Sequence, residues 1–502
     1  MMSEDSGRAT PIKTAGRAVT PWSRDPLKRR RTKIVATLGP ASSDPAVIER
    51  LIHTGVDVFR LNMSHGNQQD HRTAYERVRA AAAKLGQPTA VMADLCGPKL
   101  RVGRFAGGSI KLADGSSVVV TTRDVTGERG LIPSQYQSLS DDVRPGNRIL
   151  LDDGLIELRV ETIHGTEVTC EVVHGGILKD RKGMNLPGVE VSAPSFTDKD
   201  REGARFALEL GVDFVALSFV RRAADLDELN SLIAMGRATH VIAKIETPEA
   251  VEAIDEILDV CDGIMVARGD LGVELPPEVV PIIQRELVAR ARSKNKPAIV
   301  ATQMLESMIQ SPQPTRAEVS DVSTAVFEGA DAIMLSAETA SGAHPIEAVA
   351  MMDRVARQAE GYLWAEGAFA SITQGEAVAP PLPLPVAIAR SLAQLSRDLR
   401  VRSIVVLSRS GATARLVSAA RPAAPVVAVA SDERTCRLTN LLWGTVPVHV
   451  GAPELQHPHT LARRIALDLG LASAGHYILT VAGFKASSKD TDSAPTVTAL
   501  RV

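Results

Sequence analysis

The sequence predicts an α/β protein: a (β/α)8 TIM barrel, a small β-barrel domain inserted after the third barrel strand, and an open α/β domain at the C-terminus. Three observations carry this. Eight short apolar runs alternate with amphipathic stretches between residues 33 and 338. The connection across residues 95–212 is far longer than the others and carries hairpin signals. A proline-rich joint, AVAPPLPLP (377–385), then separates the eight units from a further set of alternating helices and strands.

The eight runs are KIVATLG (33–39), DVFRLN (57–62), TAVMADL (89–95), DFVALSF (213–219), HVIAKIE (240–246), GIMVARG (263–269), AIVATQ (298–303) and DAIMLSAE (331–338). Strands buried on both faces read as continuous apolar runs of this kind. Helical stretches separate most of them. SDPAVIERLIHTG starts with Asp44-Pro45 and PPEVVPIIQRELVARARSK with a proline pair, both helix-start signals. Eight βα units are the count of a closed barrel. An open doubly wound sheet is the alternative, and the count and even spacing favour the barrel. In the long connection, SIKLADGSSVVVTT and RILLDDGLIELRVETIHGTEVTCEVVHGG alternate apolar residues around DG and HG turns, as hairpins do. The predicted layout is a flexible extension at 1–30, barrel at 31–101 and 191–365, and an inserted lid at 102–190. A linker follows at 366–385 and an α/β domain at 386–502. The last contains RSIVVLS, APVVAVA, GTVPVHV and HYILTVAG as strands.

Bulk properties narrow the function. At ~150 residues per domain, 502 residues allow about three domains. A net charge of −2 argues against a polyanion-binding surface, so no nucleic-acid partner is expected. Cys96, Cys170, Cys261 and Cys436 lie far apart with no CxxC. That fits a reducing, cytoplasmic setting rather than a disulfide framework or zinc site. No apolar run approaches the ~20 residues of a membrane span, and the N-terminus has no apolar signal-peptide segment. The basic run KRRRTK (28–33) leads straight into a strand and reads as a solvated lead-in.

The chemistry collects where a barrel keeps its active site, at the C-terminal ends of its strands. Strand one ends on Thr37. Strand two supplies Arg60, then Asn62, Ser64 and His65. Strand three ends on Asp94 and strand four on Ser218. Strand five supplies Lys244 and Glu246, strand six Arg268 and Asp270, strand seven Thr302, and strand eight Ser336 and Glu338. Residues two apart on a strand point the same way, so Lys244 and Glu246 share a side, about 7 Å apart along the chain. On that stretch alone a salt bridge is the simplest reading. Polar residues at one end of nearly every strand are harder to explain as structure. Glu246 and Asp270 are hard oxygen ligands suited to Mg²⁺ or Mn²⁺. With Lys244 and Arg60 they describe a clamp for a phosphoryl group or an enolate. Thr302, Ser336 and Glu338 are candidates for a proton relay. No GxxxxGK[ST] loop is present, so a nucleotide is not held as in P-loop proteins.

RLNMSHG, AKIETPE, MVARGDLGVELP, ATQMLESMI, PTRAEVSDV and LSAETASG resemble the pyruvate kinases, in order, within a similarity running from about residue 31 to the C-terminus. The resemblance implies the same three-domain layout, a homotetramer, and transfer of a phosphoryl group from phosphoenolpyruvate to ADP, giving pyruvate and ATP. It implies that Arg60 binds the substrate phosphate and that Lys244 stabilises the transferring group and the enolate oxygen. Glu246 and Asp270 would hold the metal. Gly269, Asp270 and Thr302 would contact substrate. Asn62, Ser64, His65, Arg101 and Lys182 would meet the nucleotide, Lys182 coming from RKGMNLPG in the insertion. Two rivals stay open: a metal-dependent barrel lyase acting on a pyruvate enolate, and a non-catalytic phospho-ligand-binding relative.

ADLCGPKLR (93–101) departs from the stretch DTKGPEIR that potassium-requiring members resemble. Asn62, Ser64 and Asp94 match the potassium ligands. Leu95 replaces a threonine ligand and Lys99 a glutamate. The resemblance therefore implies an enzyme that does not require K⁺, with the Lys99 ammonium in its place. Alternatively, Leu95 is only a core substitution and K⁺ still binds. Cys96 has no physical account. In the C-terminal domain, VVLSRSGATARLVSAARP (405–422) reads as strand, Ser/Gly turn and helix. Ser408, Arg409, Ser410, Gly411 and Thr413 would grip the phosphate of an allosteric effector, as this turn does in the pyruvate kinases. An ordinary capped turn is the alternative.

Overall fold

The computed structural model of the chain describes residues 29–235, 239–367, 369, 381–482 and 496–502. Its centre is a closed barrel of eight parallel strands. In chain order these are Lys33–Thr37, Val58–Asn62, Ala90–Asp94, Phe214–Leu217, His240–Ile245, Gly263–Ala267, Ala298–Ala301 and Ala332–Leu335. Each falls inside one of the predicted apolar runs. The first pairs with the last, Lys33 opposite Ala332, which closes the ring and rules out the open sheet.

Strand alternation sorts the side chains into two layers. Ile34, Phe59, Val91, Val215, Val241, Ile264, Val300 and Ile333 face outward and pack with the surrounding helices in one large core. Val35, Val58, Met92, Phe214, Ile242, Met265, Ile299 and Met334 fill the interior. Both layers are fully apolar through the middle of the strands, as a packed barrel requires. The start predicted at Asp44-Pro45 is met, whereas the helix announced by the proline pair begins only at Val280, past Pro276 and Pro277. Asp44 caps Pro45–Thr54, accepting from the Ala46 and Val47 amides, and Thr197 and Thr315 form capping boxes with Asp200 and Glu318.

The insertion contains a six-stranded sheet and a two-stranded ladder around one core. The sheet includes the two hairpin strands Ile156–His164 and Glu167–His174; the ladder pairs Gly176–Lys179 with Ser109–Leu112. Short strands at Leu131–Pro133 and Met184–Asn185 carry too little pattern to be read from sequence. The C-terminal sheet has four parallel strands, Ile404–Leu407, Val426–Ala430, Thr445–His449 and Tyr477–Ala482. A fifth, Thr496–Arg501, pairs antiparallel at its edge. That strand buries only Leu500, so its apolar signal is weak. Residues 1–28 and residues 377–380 of the proline-rich joint lie outside the described residues.

From Arg30 onward the basic lead-in is not solvated, while Arg29 is exposed. The Arg30 side chain is 7% exposed and pairs with Asp57 and Asp353, both at 3.0 Å. Lys33 Nζ lies 3.3 Å from Asp57 Oδ1 and donates to the Thr445 carbonyl. The Glu360 carboxylate accepts from the Arg31 and Thr32 amides. The run is basic because it docks on carboxylates under the barrel, which no local pattern reveals.

That docking is part of a regular floor. Asp57, Asp213, Asp262 and Asp331 each stand just before an even-numbered strand. Each accepts an amide from the first two residues of the preceding odd strand, at Ile34, Val91, Val241 and Ala298 respectively. Three of them also meet an arginine of the C-terminal domain: Arg437 Nε–Asp213 at 2.8 Å, Arg421–Asp331 at 3.0 Å and Arg415–Asp262 at 3.6 Å. Between these pairs Leu438 and Leu441 plug the barrel interior from below. The Asp57 carboxyl is pushed up by burial, but Lys33 and Arg30 more than offset this and hold it below the usual carboxylate range.

Asp213 is fully buried and serves Arg79, Arg437 and the Val91 amide at once. Asp213→Ala should cost about 3–5 kcal/mol, because it strands two arginines without their carboxylate. Arg437→Met, which removes only one partner, should cost less. Denaturant unfolding of the two variants checks the order; equal midpoints with the parent chain would refute the role of the floor.

Candidate active site

The interior rows do not end at the apolar middle. On strand five the row Ile242, Lys244, Glu246 continues the inward face; on strand two it is Val58, Arg60, Asn62; on strand three Met92, Asp94; on strand four Ala216, Ser218. One alternation thus carries apolar residues below and polar ones above. The polar tops surround a cavity of about 100 Å³ lined by Arg60, Asp94, Lys99, Lys244, Glu246 and Asp270, among others.

The Lys244 ammonium is the hub. It lies 2.7 Å from Glu246 Oε1 and 3.5 Å from Asp94 Oδ1, and donates to Ser218 Oγ at 2.7 Å. The salt bridge suggested by AKIE therefore exists, and it sits inside the mouth. Arg60 Nε is 2.6 Å from Asp94 Oδ2, and Arg60 also donates to Thr37 Oγ1. Burial alone would lower the lysine pKa, but Asp94 and Glu246 raise it above its ordinary value. Burial would raise Asp94, but Lys244 and Arg60 hold its carboxyl below the usual range. Asp94 Oδ1 is nonetheless buried without a hydrogen-bond donor.

Glu246 is 1% exposed and accepts from the Phe219 amide at 2.7 Å. Phe219 has φ 54°, a strained value for a bulky residue, and this turns its N–H onto the carboxylate. Burial pushes the Glu246 carboxyl up; Lys244 pulls it down and the Asp270 charge adds to the rise. Arg60, Lys244 and Lys99 face Asp94, Glu246 and Asp270 around this cavity. The donor set fits a hard divalent cation between Glu246 and Asp270. Among the described residues no group of three or more His, Cys, Asp or Glu is placed to hold a metal alone. Such an ion would take its remaining ligands from solvent and substrate oxygens.

A second cavity, about 910 Å³, adjoins the first at Arg60, Asn62 and His65 and extends past Pro40, His71 and Arg77. Its size suits a nucleotide-sized ligand. Sequence reading placed Asn62 and His65 here and missed Pro40, His71 and Arg77, which lie on loops and on the helix Gln68–Leu85. Ser64 lines the smaller cavity. The His65 ring is held below its ordinary pKa by burial and then by the charges of Lys99, Arg101, Arg60 and Lys199. Positive charge therefore converges on this rim.

Other expected residues are placed differently. Arg101 donates to the Arg181 carbonyl and Lys182 pairs with Asp152 at 2.6 Å, so both are engaged within the insertion. The Gly269 amide donates to Thr302 Oγ1 at 2.7 Å, and that hydroxyl donates to the Ala301 carbonyl. Thr302 has φ 70°, an outlier for a β-branched residue, and Arg268 fixes it by donating to its carbonyl. The expected relay is not assembled. Both Glu338 oxygens accept backbone amides, of Ser336 and Leu305, and no described hydrogen bond links Thr302 to Ser336 or Glu338. Glu338 is 2% exposed and burial raises its pKa; it acts as a local cap rather than facing the cavity.

Leu95 is 1% exposed and points outward into the helix layer, as its odd strand position requires. Lys99 is exposed and lines the cavity shared with Asp94. Cys96 lines it too and is a free thiol. In the C-terminal turn, Ser408 and Thr413 are buried and Ser408 Oγ accepts from the Gly411 amide. Arg409 and Ser410 are exposed, and Gly411 takes φ 82° ahead of the helix Ala412–Ala419. No described helix is long and apolar enough to cross a membrane.

Comparison with known proteins agrees with this geometry. The model of the pyruvate kinase barrel domain matches residues 29–349, and that of the pyruvate kinase alpha/beta domain matches residues 386–495. A pyruvate kinase of Agrobacterium vitis is 44% identical over 462 residues, covering 91% of this chain and 94% of its own. Pyruvate kinase 2 of a Synechocystis strain is 43% identical over 460 residues, covering 90% of this chain and 76% of its own. The crystal structure of a pyruvate kinase from Cryptosporidium parvum superposes with a TM-score of 0.86 at 34% identity, covering 94% of this chain and 96% of that one. With a barrel whose strand ends gather lysine, arginine and carboxylates and two family domains matched in order, the chain belongs to the pyruvate kinase family and is an enzyme of that type.

Proposed function

We propose that the chain transfers the phosphoryl group of phosphoenolpyruvate to ADP, giving pyruvate and ATP, with Mg²⁺ or Mn²⁺ as cofactor. The observation that carries this is the buried Lys244 ammonium between Asp94 and Glu246, with Arg60 beside it. All of Arg60, Lys244, Glu246, Asp270 and Thr302 are present, which counts against a non-catalytic relative. A barrel lyase would not need the transfer lysine or a basic inserted lid.

Arg60 would fork onto the substrate phosphate, for which a guanidinium is better shaped than an ammonium. Lys244, held charged by its carboxylates, would meet the charge that develops on the transferring group and on the enolate oxygen. Glu246 and Asp270 would hold the divalent ion, whose chemistry is to neutralise phosphoryl and enolate oxygens. Gly269 and Thr302 would orient the substrate, exchanging their mutual hydrogen bond for contacts to it. Asn62, Ser64 and His65 would line the nucleotide side. Arg101 and Lys182 would reach the ADP phosphates when the insertion, residues 102–190, closes as a lid.

Lys99 supplies the single charge that K⁺ supplies in potassium-requiring members, supported by its place in the lining of the cavity that Asp94 also lines and by the oxygen-free Leu95. The turn with Ser408, Arg409, Ser410, Gly411 and Thr413 receives the phosphate of an effector; Arg409 and Ser410 are its exposed residues. The family relation supports a cytoplasmic homotetramer.

The decisive assay is pyruvate formation from phosphoenolpyruvate and ADP with Mg²⁺, in paired buffers of K⁺ and tetramethylammonium. Equal rates are expected, with no rate once the divalent ion is chelated. A rate confined to K⁺ would refute the role of Lys99, and no rate in either would refute the activity. Lys244→Met should retain substrate binding and lose at least ~100-fold in kcat; normal turnover would remove the lysine from the chemistry. Ser410→Asp places a carboxylate where the effector phosphate is expected, so activation by sugar phosphates or AMP should fall; unaltered activation would move that site elsewhere.

A further inference from the structure

The insertion touches the barrel mouth at a specific place. Asn185, in the strand Met184–Asn185, donates from Nδ2 to Glu274 Oε1 at 2.9 Å. Glu274 closes the helix Arg268–Glu274, which begins directly after barrel strand six. Asp270 lies one turn earlier on the same helix, four residues away and so on the same face. Asp270, Glu274, Asn185 and Asp153 line one cleft between the insertion and the barrel. A second close approach lies beside the first. A Cβ built on Gly154 would come within 3.9 Å of Val273. That turn includes Asp152, Asp153 and Gly154, all at positive φ, and Asp152 is the residue that holds Lys182. One short helix therefore meets the insertion through Glu274 with Val273 close by, and on the insertion side stand Asn185, three residues from Lys182, and the turn whose Asp152 holds Lys182.

The chemistry of the pair suits a contact that must form and break. A carboxylate can only accept, so the amide must present its NH₂ to Glu274. A neutral donor binds the glutamate without adding a cation beside Asp270, where one would compete with a metal. Burial pushes the Glu274 carboxyl up, Asn185 pulls it down, and the charges of Glu249 and Asp270 push it up further. The amide thus stabilises a carboxylate that its neighbours disfavour. A single hydrogen bond to a charged group is strong enough to bias a lid and weak enough to open in each turnover.

We propose that Asn185 and Glu274 form the latch that sets the insertion over the barrel mouth, and that they are positioning residues for Lys182 and Arg101. This rests on the reading that those two residues meet the nucleotide. Asn185→Ala should raise KM for ADP roughly tenfold, the equivalent of one hydrogen bond to a charged group, and leave KM for phosphoenolpyruvate nearly unchanged. Glu274→Gln keeps an acceptor oxygen but loses the charge, so it should fall between the parent enzyme and Glu274→Ala, which should match Asn185→Ala. The double variant Asn185→Ala/Glu274→Ala should be no worse than either single one. Hydrogen exchange on the full chain gives a readout free of kinetics: amides of 184–185 and 268–274 should exchange faster together in Asn185→Ala. Unchanged exchange at either segment, additive losses in the double variant, or equal rises in both KM values would overturn the latch. Lys182→Ala is the separate control. If it leaves KM for ADP unaltered, the nucleotide role of the insertion fails, and the exchange result alone then decides whether the latch exists.

Discussion

The mouth of this barrel depends on one buried ion cluster. The Lys244 ammonium would be costly in a site 9% exposed were it alone. Asp94 and Glu246 hold it charged, and it in turn stops those carboxylates from repelling one another. Arg60 ties Asp94 from the other side. Removing any member leaves an uncompensated buried charge, so the cluster specifies its own geometry. It is also preorganised: the charges point at the cavity before any ligand arrives, and no reorganisation is needed when charge develops there.

The cluster is precise because the backbone beneath it is rigid. Eight parallel strands bury both faces, and the interior row rises by fixed steps from Ile242 to Lys244 to Glu246. Two strained residues fine-tune the rim. Phe219 turns an amide onto Glu246, and Thr302 turns its hydroxyl onto Gly269. Backbone strain of this kind persists only where surrounding structure over-determines it. Below, the repeated aspartates tie each even strand to the odd one before it, and three of the four reach on to arginines of the C-terminal domain. The same strands thus end in a structural floor on one side and in chemistry on the other, as expected for a barrel. The helix Ala412–Ala419, which follows the proposed effector turn, reaches that floor through Arg415 and Asp262, just before the strand that leads to Gly269 and Asp270.

The insertion meets the mouth through the helix that carries Asp270, and its basic residues are held by its own groups, Lys182 by Asp152 and Arg101 onto the Arg181 carbonyl. A site split between a rigid barrel and a separate β-domain can admit its ligands and then exclude water by closing.

Much of this was legible in the sequence. Strand positions follow from apolar runs, and the inward sharing of Lys244 and Glu246 follows from the period of two, because both are local properties of an extended chain. Motifs such as AKIETPE and MVARGDLGVELP carried the family, and the strand-end residues Arg60, Asp94, Glu246 and Asp270 came with the barrel topology. Tertiary structure decided what depends on distant partners. KRRRTK looks like a solvated run until Asp57, Asp353 and Glu360 are folded against it. Thr302, Ser336 and Glu338 look like a relay until the Leu305 and Ser336 amides claim both oxygens of Glu338. Pro40, His71 and Arg77 join a cavity only after loops converge, and the Asn185–Glu274 contact spans 89 residues of chain. Periodicity fixes which way a side chain points, but only the packed fold fixes what it meets.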